Sequence, residues 1–186
     1  MRSLKHALVG VVVTLVMLAI GILFVSYSGA YNVAATEPHT APSYWLFTNT
    51  MEHSVRVRAA GIKAPTSFTT EQSNAGFDLY NQRCVLCHGA PGIQLEASGD
   101  LDPDPPPLWT DVRHWTDGEL FWIIKNGVKM TGMPAFSRIY KDEDIWSVVA
   151  FLRVMDRLTP QAYTDRVKSA HPSISDSILQ PAGKIQ

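Results

Sequence analysis

The sequence predicts an all-α protein in which one N-terminal transmembrane helix precedes a helical domain. The stretch from Ala7 to Tyr27, ALVGVVVTLVMLAIGILFVSY, contains no charged residue. It is about as long as a helix must be to cross the hydrocarbon core of a bilayer, which needs roughly 20 residues. Farther along, residues 71–158 have apolar side chains at helical spacing between long loops. These two observations define the fold class that we expect.

The N-terminal apolar stretch is expected to remain as a membrane anchor over residues 7–27. Arg2 and Lys5 precede it, and the next Lys or Arg is Arg56. The positive-inside rule therefore places residues 1–6 in the cytoplasm and the remainder of the chain on the other side. A cleaved signal peptide is the alternative, because a small-residue sequence, SGA, follows the stretch. The stretch is, however, longer than the usual apolar core of a signal peptide, about 7–15 residues.

A connecting segment, residues 28–63, follows the anchor. Its first part, residues 28–42, is rich in small and turn-forming residues and predicts an extended chain. Ser43 is a candidate N-cap for an amphipathic helix from Tyr44 to about Ala60. One side of this helix is basic and another apolar, which suits a helix lying on a membrane or on a partner subunit. Packing against its own domain is an equally good interpretation.

Residues 64–158 are predicted to form the main domain. Its first helix runs from about Glu71 to Cys84, with Phe77 and Tyr80 among the apolar residues at helical spacing. The following stretch, PGIQLEASGDLDPDPPPLW, is expected to be a loop, because its prolines remove backbone donors and fix the backbone.

Two further helices complete the predicted domain. A short helix begins with the T-x-x-E capping box at Thr116 and ends at Gly127. The last helix begins around residues 142–144, where acidic side chains favour a helix N-terminus, and Pro160 ends it. Residues 159–186 have few bulky apolar side chains and no pattern, so we expect an extended C-terminal tail.

The distribution of charge argues against nucleic acid as a partner. Lys and Arg number 5 against 2 Asp and Glu in residues 1–63, 8 against 13 in residues 64–158, and 3 against 2 in residues 159–186. The main domain is therefore acidic by five charges. A nucleic-acid-binding domain would carry a basic surface instead.

Cys84, Cys87 and His88 form the sequence C-x-x-C-H, which is typical of covalent haem c attachment. Two thiols at this spacing can add to the two vinyl groups of one porphyrin, and the adjacent histidine can then ligate the iron. A structural zinc site would need further Cys or His ligands, and the chain has no other cysteine. A thioredoxin-like dithiol would need a βαβ context, whereas these flanks are helix and loop. We therefore expect one covalent haem c, which bacteria attach outside the cytoplasmic membrane.

Residues 71–158 resemble a class I cytochrome c, and this resemblance covers roughly half of the chain. Gly76 and Tyr80 precede Cys84 by eight and four residues, like the small residue and the aromatic residue on the first helix of that family. Val148 and Phe151 stand at the positions where the last helix of the family meets this small residue and this aromatic residue. The resemblance implies that the first and last helices cross closely at Gly76.

The proline-rich loop carries a further part of the resemblance. Leu108 preceded by prolines is similar to the P-x-L sequence of the family, in which the proline carbonyl accepts a hydrogen bond from the proximal histidine. By that match Pro106 orients His88 and makes it a more basic ligand. Pro106 and Leu108 are therefore expected to contact the cofactor.

The sequence KNGVKMTGMPAF is expected to supply the second axial ligand. Cytochromes c of this type use a methionine, and His/Met ligation raises the reduction potential. Gly127 ends the preceding helix and Pro134 stiffens the loop. The G-M-P-A context of the bacterial family members selects Met133 over Met130, which is the alternative ligand. His114 is a weaker alternative that would give a bis-histidine site.

Large aromatic and cationic side chains are candidates for contacts with the porphyrin or its propionates. Trp109 and Arg138 are our candidates for cofactor contacts, and Trp115 and Trp122 could serve as well. Ordinary packing also explains each of the four.

These features predict a membrane-tethered, single-haem electron carrier on the periplasmic side of a bacterial inner membrane. Its expected partners are membrane lipid and redox proteins, namely a dehydrogenase, a quinol-oxidising complex or a terminal oxidase. No small-molecule substrate and no catalytic residue are expected. Two alternatives remain open: a haem enzyme or gas sensor with a displaceable methionine, and a docking or assembly subunit whose haem is incidental.

Overall fold

The computed structural model describes residues 2–94 and 99–170. Within these ranges the protein is helical and has no β-strand, only an isolated bridge between Ala90 and Ile93. The chain divides into two compact units between Glu37 and Pro38. The predicted all-α class is therefore confirmed.

The first unit contains one long apolar helix, α1, Arg2–Ser28. Its stretch Ser3–Ser28 is long and apolar enough to cross a membrane. The predicted span, residues 7–27, lies inside it. This helix is compatible with a single-pass membrane anchor.

The second unit begins with helix α2, Ala41–Ala59. The helix starts earlier than predicted, and Thr40 rather than Ser43 occupies the N-cap position. The early start is possible because Pro42 lies in the first turn. Backbone N–H groups in the first turn have no partner within the helix, so a proline there costs no hydrogen bond. Val55 and Ala59 are buried against the rest of this unit, and α2 packs on α6, Asp117–Asn126. Of the two interpretations of α2, the structure has the helix packed on its own domain.

The main helix pair of this unit is α3, Thr70–Arg83, with α7, Asp142–Met155. A capping box between Thr69 and Gln72, which the sequence analysis missed, fixes the start of α3. The two helices meet where α3 has Gly76. A Cβ atom there would lie 1.8 Å from the backbone oxygen of Ser147 in α7, so only glycine allows this approach.

Shorter elements connect the pair. They are α4, Val85–His88, α5, Leu108–Asp111, and two 3₁₀ turns, Val112–His114 and Phe136–Arg138. The predicted capping box of Thr116 and Glu119 is present at the start of α6 and is confirmed.

Arg153 of α7 ties the last helix to these connecting elements. Its guanidinium donates hydrogen bonds to the Asp117 carboxylate at 2.7 Å, to the Val112 carbonyl at 2.8 Å and to the Trp115 carbonyl at 2.6 Å. One side chain therefore fixes the 3₁₀ turn and the start of α6 against α7.

The expectation of an extended tail from residue 159 was wrong for residues Pro160–Ala170, which form helix α8. Proline fits the first turn of a helix, so Pro160 starts this helix instead of ending α7. Tyr163 and Val167, one turn apart, are fully buried, and the Tyr163 hydroxyl is 2.7 Å from the Asn81 side-chain oxygen. The remainder of the predicted tail, residues 171–186, lies outside the described residues.

Candidate functional site

An apolar cavity of about 230 Å³ lies at the centre of the second unit. The α3–α4 turn, the proline-rich loop, α6, α7 and the loop after α6 contribute its walls. Its lining includes four side chains with sulfur or nitrogen donor atoms that the sequence predicted as haem-binding residues: Cys84, Cys87, His88 and Met133. The structure therefore brings together residues separated by up to 49 positions (133 − 84) in the chain.

The two cysteines and the histidine are held on one tight turn. The His88 N–H donates to the Cys84 carbonyl at 2.9 Å, and the Cys87 N–H donates to the same carbonyl at 3.1 Å. Both thiols are free in this structure and partly buried. Burial, and secondarily the charge that Cys87 would carry, raise the pKa of Cys84 to about 12. The Cys84 side chain is therefore a neutral thiol at physiological pH.

His88 is oriented by the proline-rich loop. Its Nδ1 lies 2.8 Å from the Pro106 carbonyl oxygen. Because a carbonyl only accepts, Nδ1 must carry the proton and donate, which leaves the Nε2 lone pair as the ligating position. Burial lowers the pKa of His88, against the opposing effect of the Pro106 hydrogen bond. The imidazole is therefore kept neutral, as a metal ligand must be.

Tyr80 fixes the backbone just beyond His88. Its side chain is fully buried, and its hydroxyl donates to the Gly89 carbonyl at 2.6 Å. Burial raises the pKa of Tyr80 well above its usual value, so the hydroxyl remains a donor. The aromatic residue that the resemblance placed on α3 thus holds the end of the C-x-x-C-H turn.

The loop that carries Met133 folds back on the end of α6. Gly127 ends the helix with φ +67°, and a Cβ there would lie 2.7 Å from the Met133 carbonyl oxygen. The Val128 N–H donates to that carbonyl at 3.2 Å. The Thr131 hydroxyl donates to the Val128 carbonyl at 2.8 Å and accepts from the Met133 N–H at 3.1 Å. These bonds close a compact loop that sets Met133 on the cavity wall.

Met130 has a different environment. Its side chain is 79% exposed, and its backbone has φ +62°, a left-handed conformation that is unusual for a residue other than glycine. Met130 is not among the described residues that line the central cavity. The structure therefore separates the two methionines that the sequence analysis weighed as ligands.

The lower-ranked candidates do not all line the cavity. Pro106, Leu108 and Trp115 line the cavity. Trp109 and Arg138, which were predicted to contact the cofactor, are not among the described residues that line the cavity. Trp109 packs beside Gly89, and Arg138 is exposed in its 3₁₀ turn. Residue type alone gave no information on the direction in which these two side chains point.

The weaker candidate axial ligand, His114, also lies at the surface. Its side chain is 78% exposed, and it does not line the cavity among the described residues.

Sequence reasoning missed the contribution of α2 to this site. Met51 lines the cavity, although it lies 33 residues before Cys84 (84 − 51). The signal in the sequence was the helical spacing of Phe47, Met51 and Val55, which indicates one face of a helix but not what that face covers.

The donor set and the walls of the cavity fit haem. Two thiols on one turn, an imidazole nitrogen and a thioether surround one apolar space, which is the combination used in His/Met cytochromes c. Within residues 2–94 and 99–170 no cluster of three or more His, Cys, Asp or Glu could hold a metal ion. A closed zinc site is therefore not formed by the described residues.

Comparison with known proteins agrees with this assignment. Residues 71–152 match the family model described as cytochrome c oxidase, cbb3-type, subunit III. The chain is also similar to the quinohemoprotein alcohol dehydrogenase of Comamonas testosteroni, with 25% identity over 144 residues. That alignment covers 74% of this chain but 20% of the relative, so the chain spans about a fifth of the relative's length.

Fold, site and matches together define the class of the domain. The family match over residues 71–152 implies haem binding and suggests electron transfer. The helical fold and the two matches are consistent with a cytochrome c domain of the class I type.

Proposed function

We propose that this protein is a membrane-tethered mono-haem cytochrome c that carries single electrons on the periplasmic side of a bacterial inner membrane. The observation that carries the proposal is the meeting of Cys84, Cys87, His88 and Met133 on one apolar cavity. The family match over residues 71–152 supports the electron-transfer class.

Each of these side chains has a distinct role in holding the cofactor. Cys84 and Cys87 would form the two thioether bonds, and His88 through Nε2 and Met133 through its sulfur would ligate the iron. Pro106 positions His88 through the 2.8 Å hydrogen bond to Nδ1. When bound, the haem supplies a reversible one-electron redox couple. The apolar walls exclude water from it, and Met133 favours a higher reduction potential than a second histidine would give.

This ligand set favours electron transfer over catalysis. Because His88 and Met133 would both ligate the iron, no position on it would remain open for a substrate. The protein by itself is therefore an electron carrier, and an oxidoreductase activity would belong to a complex that contains it.

The proposed location follows from α1 and the chemistry of the site. The apolar helix Ser3–Ser28 is compatible with a single-pass anchor in lipid. Arg2 and Lys5 at its N-terminal end favour a cytoplasmic N-terminus. The second unit then lies in the compartment where bacteria attach haem c.

The proposed partners are redox proteins at the membrane: a dehydrogenase, a quinol-oxidising complex or a terminal oxidase. The two matches, one to a subunit of an oxidase and one to a haem-containing dehydrogenase, support a role within such a complex. Neither match selects the donor or the acceptor.

Visible and near-infrared spectra of the purified full chain test the axial ligands. We expect a low-spin haem c with a weak ferric sulfur-to-iron band, which Met133→Ala loses and Met130→Ala retains. Met130→Ala is a matched control because it removes the same atoms from an exposed position in the same loop. A high-spin parent that binds carbon monoxide readily would contradict the proposal and favour a haem enzyme or gas sensor.

A further inference from the structure

We infer that Met51 of α2 separates the apolar central cavity, which is the proposed haem pocket, from a second cavity. The functional haem unit would then begin at α2 and not at residue 71. This inference rests on the proposed function. It concerns a residue outside the segment that matches the family model, residues 71–152.

The second cavity has a volume of about 490 Å³ and lies between α2 and the loop after α6. Residues that line both cavities must stand between them. Four of the described residues do so: Met51, Pro103, Val128 and Thr131. Val128 and Thr131 belong to the hydrogen-bonded loop that holds Met133, so the partition lies beside the proposed methionine ligand.

Helix α2 is fixed firmly enough to serve as a wall. Val55, one turn after Met51, is 1% exposed. The C-terminal end of α2 reaches α6 closely: a Cβ on Gly118 would lie 3.1 Å from the Ile62 carbonyl oxygen and 3.7 Å from that of Ala59. At the other end, the His39 imidazole pairs with the Asp102 carboxylate.

The His39–Asp102 pair joins α2 to the proline-rich loop that orients the proposed proximal ligand. Asp102 lies four residues before Pro106, whose carbonyl accepts the hydrogen bond from His88. The helix that contains Met51 is therefore bonded to the proline-rich loop, and Met51 shares the partition with two residues of the Met133 loop.

The second cavity is more polar than the haem pocket and contacts solvent. Arg58, Lys129 and Met130 line it, and all three are exposed. Water and small nitrogen ligands can therefore enter it. In the parent protein the Met51 side chain closes this route toward Met133. Shortening Met51 to alanine would leave a space where its side chain stood. That space would join the two cavities, although the three other shared residues stay in place.

The test compares three variants of the full-length haem protein. Met51→Ala opens the partition, Met130→Ala removes the same atoms from the second cavity only, and Met51→Leu nearly preserves the side-chain volume. The association of imidazole with the ferric protein is followed by the loss of the sulfur-to-iron band, and the reduction potential is measured by spectroelectrochemical titration.

We expect Met51→Ala to bind imidazole about tenfold faster than the parent, which corresponds to about 1.4 kcal/mol. We also expect a lower reduction potential, since water at the haem favours the ferric state. Met130→Ala and Met51→Leu should both stay within about twofold of the parent, a difference of about 0.4 kcal/mol. The recovery in Met51→Leu distinguishes a lost wall from a protein that is merely less well folded.

The inference and the proposed function fail in different ways. If the parent lacks the sulfur-to-iron band, the proposed ligation is wrong, and this inference falls with it. If the parent has the band but Met51→Ala binds imidazole no faster than Met130→Ala, only the role assigned to Met51 is overturned.

Discussion

Gly76→Ala should strongly destabilise the second unit, because it places a methyl group inside the contact between α3 and α7. The new Cβ would lie 1.8 Å from the Ser147 carbonyl oxygen, 2.5 Å from its carbonyl carbon and 2.9 Å from the Phe151 Cβ. The first two of these atoms are backbone, so no change of side-chain rotamer can relieve the clash. The helices must separate at the closest point of the main helix pair.

The expected cost follows from two opposing effects. Overpacking of a core costs typically about 1–3 kcal/mol, and a clash with backbone belongs at or above the upper end of that range. Replacing a mid-helix glycine by alanine recovers about 1 kcal/mol of helix propensity. We therefore expect a net loss of about 2–4 kcal/mol in the free energy of unfolding, a large part of the roughly 5–15 kcal/mol that stabilises a domain.

Denaturant unfolding of the haem-loaded protein, followed by circular dichroism, measures this loss. Gly61→Ala is the matched control, because its Cβ would have no neighbour within 4 Å. Gly118→Ala gives an intermediate case, with the Ile62 carbonyl oxygen at 3.1 Å. The loss should increase from Gly61 through Gly118 to Gly76. Equal stabilities for Gly76→Ala and Gly61→Ala would refute the close helix crossing.

Three other changes test the fold. Arg153→Met removes a guanidinium that donates hydrogen bonds to one carboxylate and two carbonyls. It should lower the free energy of unfolding, measured in urea, by about 2–3 kcal/mol. A loss below about 0.5 kcal/mol would contradict that role. Lys125→Ala breaks an exposed 2.7 Å ion pair with Asp142 and should cost less than about 1 kcal/mol, an effect reduced further by salt. Burial raises the pKa of Tyr80 and Tyr163, whereas an unfolded tyrosine titrates near about 10. Above about pH 10 the unfolded state therefore binds fewer protons than the folded state, and the free energy of unfolding should fall. The Tyr→Phe variants at these two positions should show a shallower fall, and an unchanged slope would be evidence against their burial.

Local chemistry made some features predictable from the sequence. The two thiols and the histidine of the C-x-x-C-H turn were predictable because residues that bind one cofactor lie close together in the sequence. The end of α6 was predictable because Gly127 is a glycine directly after the last helical residue. Helix α1 was visible because an uncharged apolar stretch of this length is rare outside membranes. In the structure Cys84, Cys87, His88 and Met133 all line one cavity.

Other features were hidden because they depend on distant contacts. Helix α8 buries only two side chains, Tyr163 and Val167, so its apolar pattern was too sparse to recognise. The place of Met51 in the cavity depends on how α2 packs against a loop almost 80 residues later, which no local pattern encodes. Trp109 and Arg138 were chosen by residue type, which does not show whether a side chain lines a cavity.

Under the proposed function, each chain holds one covalent haem and exchanges one electron at a time. The most direct measurement is a spectroelectrochemical titration of the purified full chain, with haem counted per chain and its retention checked on a denaturing gel. We predict a single one-electron wave, one haem per chain, and haem that stays with the denatured parent. In Cys84→Ala/Cys87→Ala the haem should be released on denaturation. Haem that is extracted from the denatured parent, or a chain that carries none, would contradict the proposed covalent attachment.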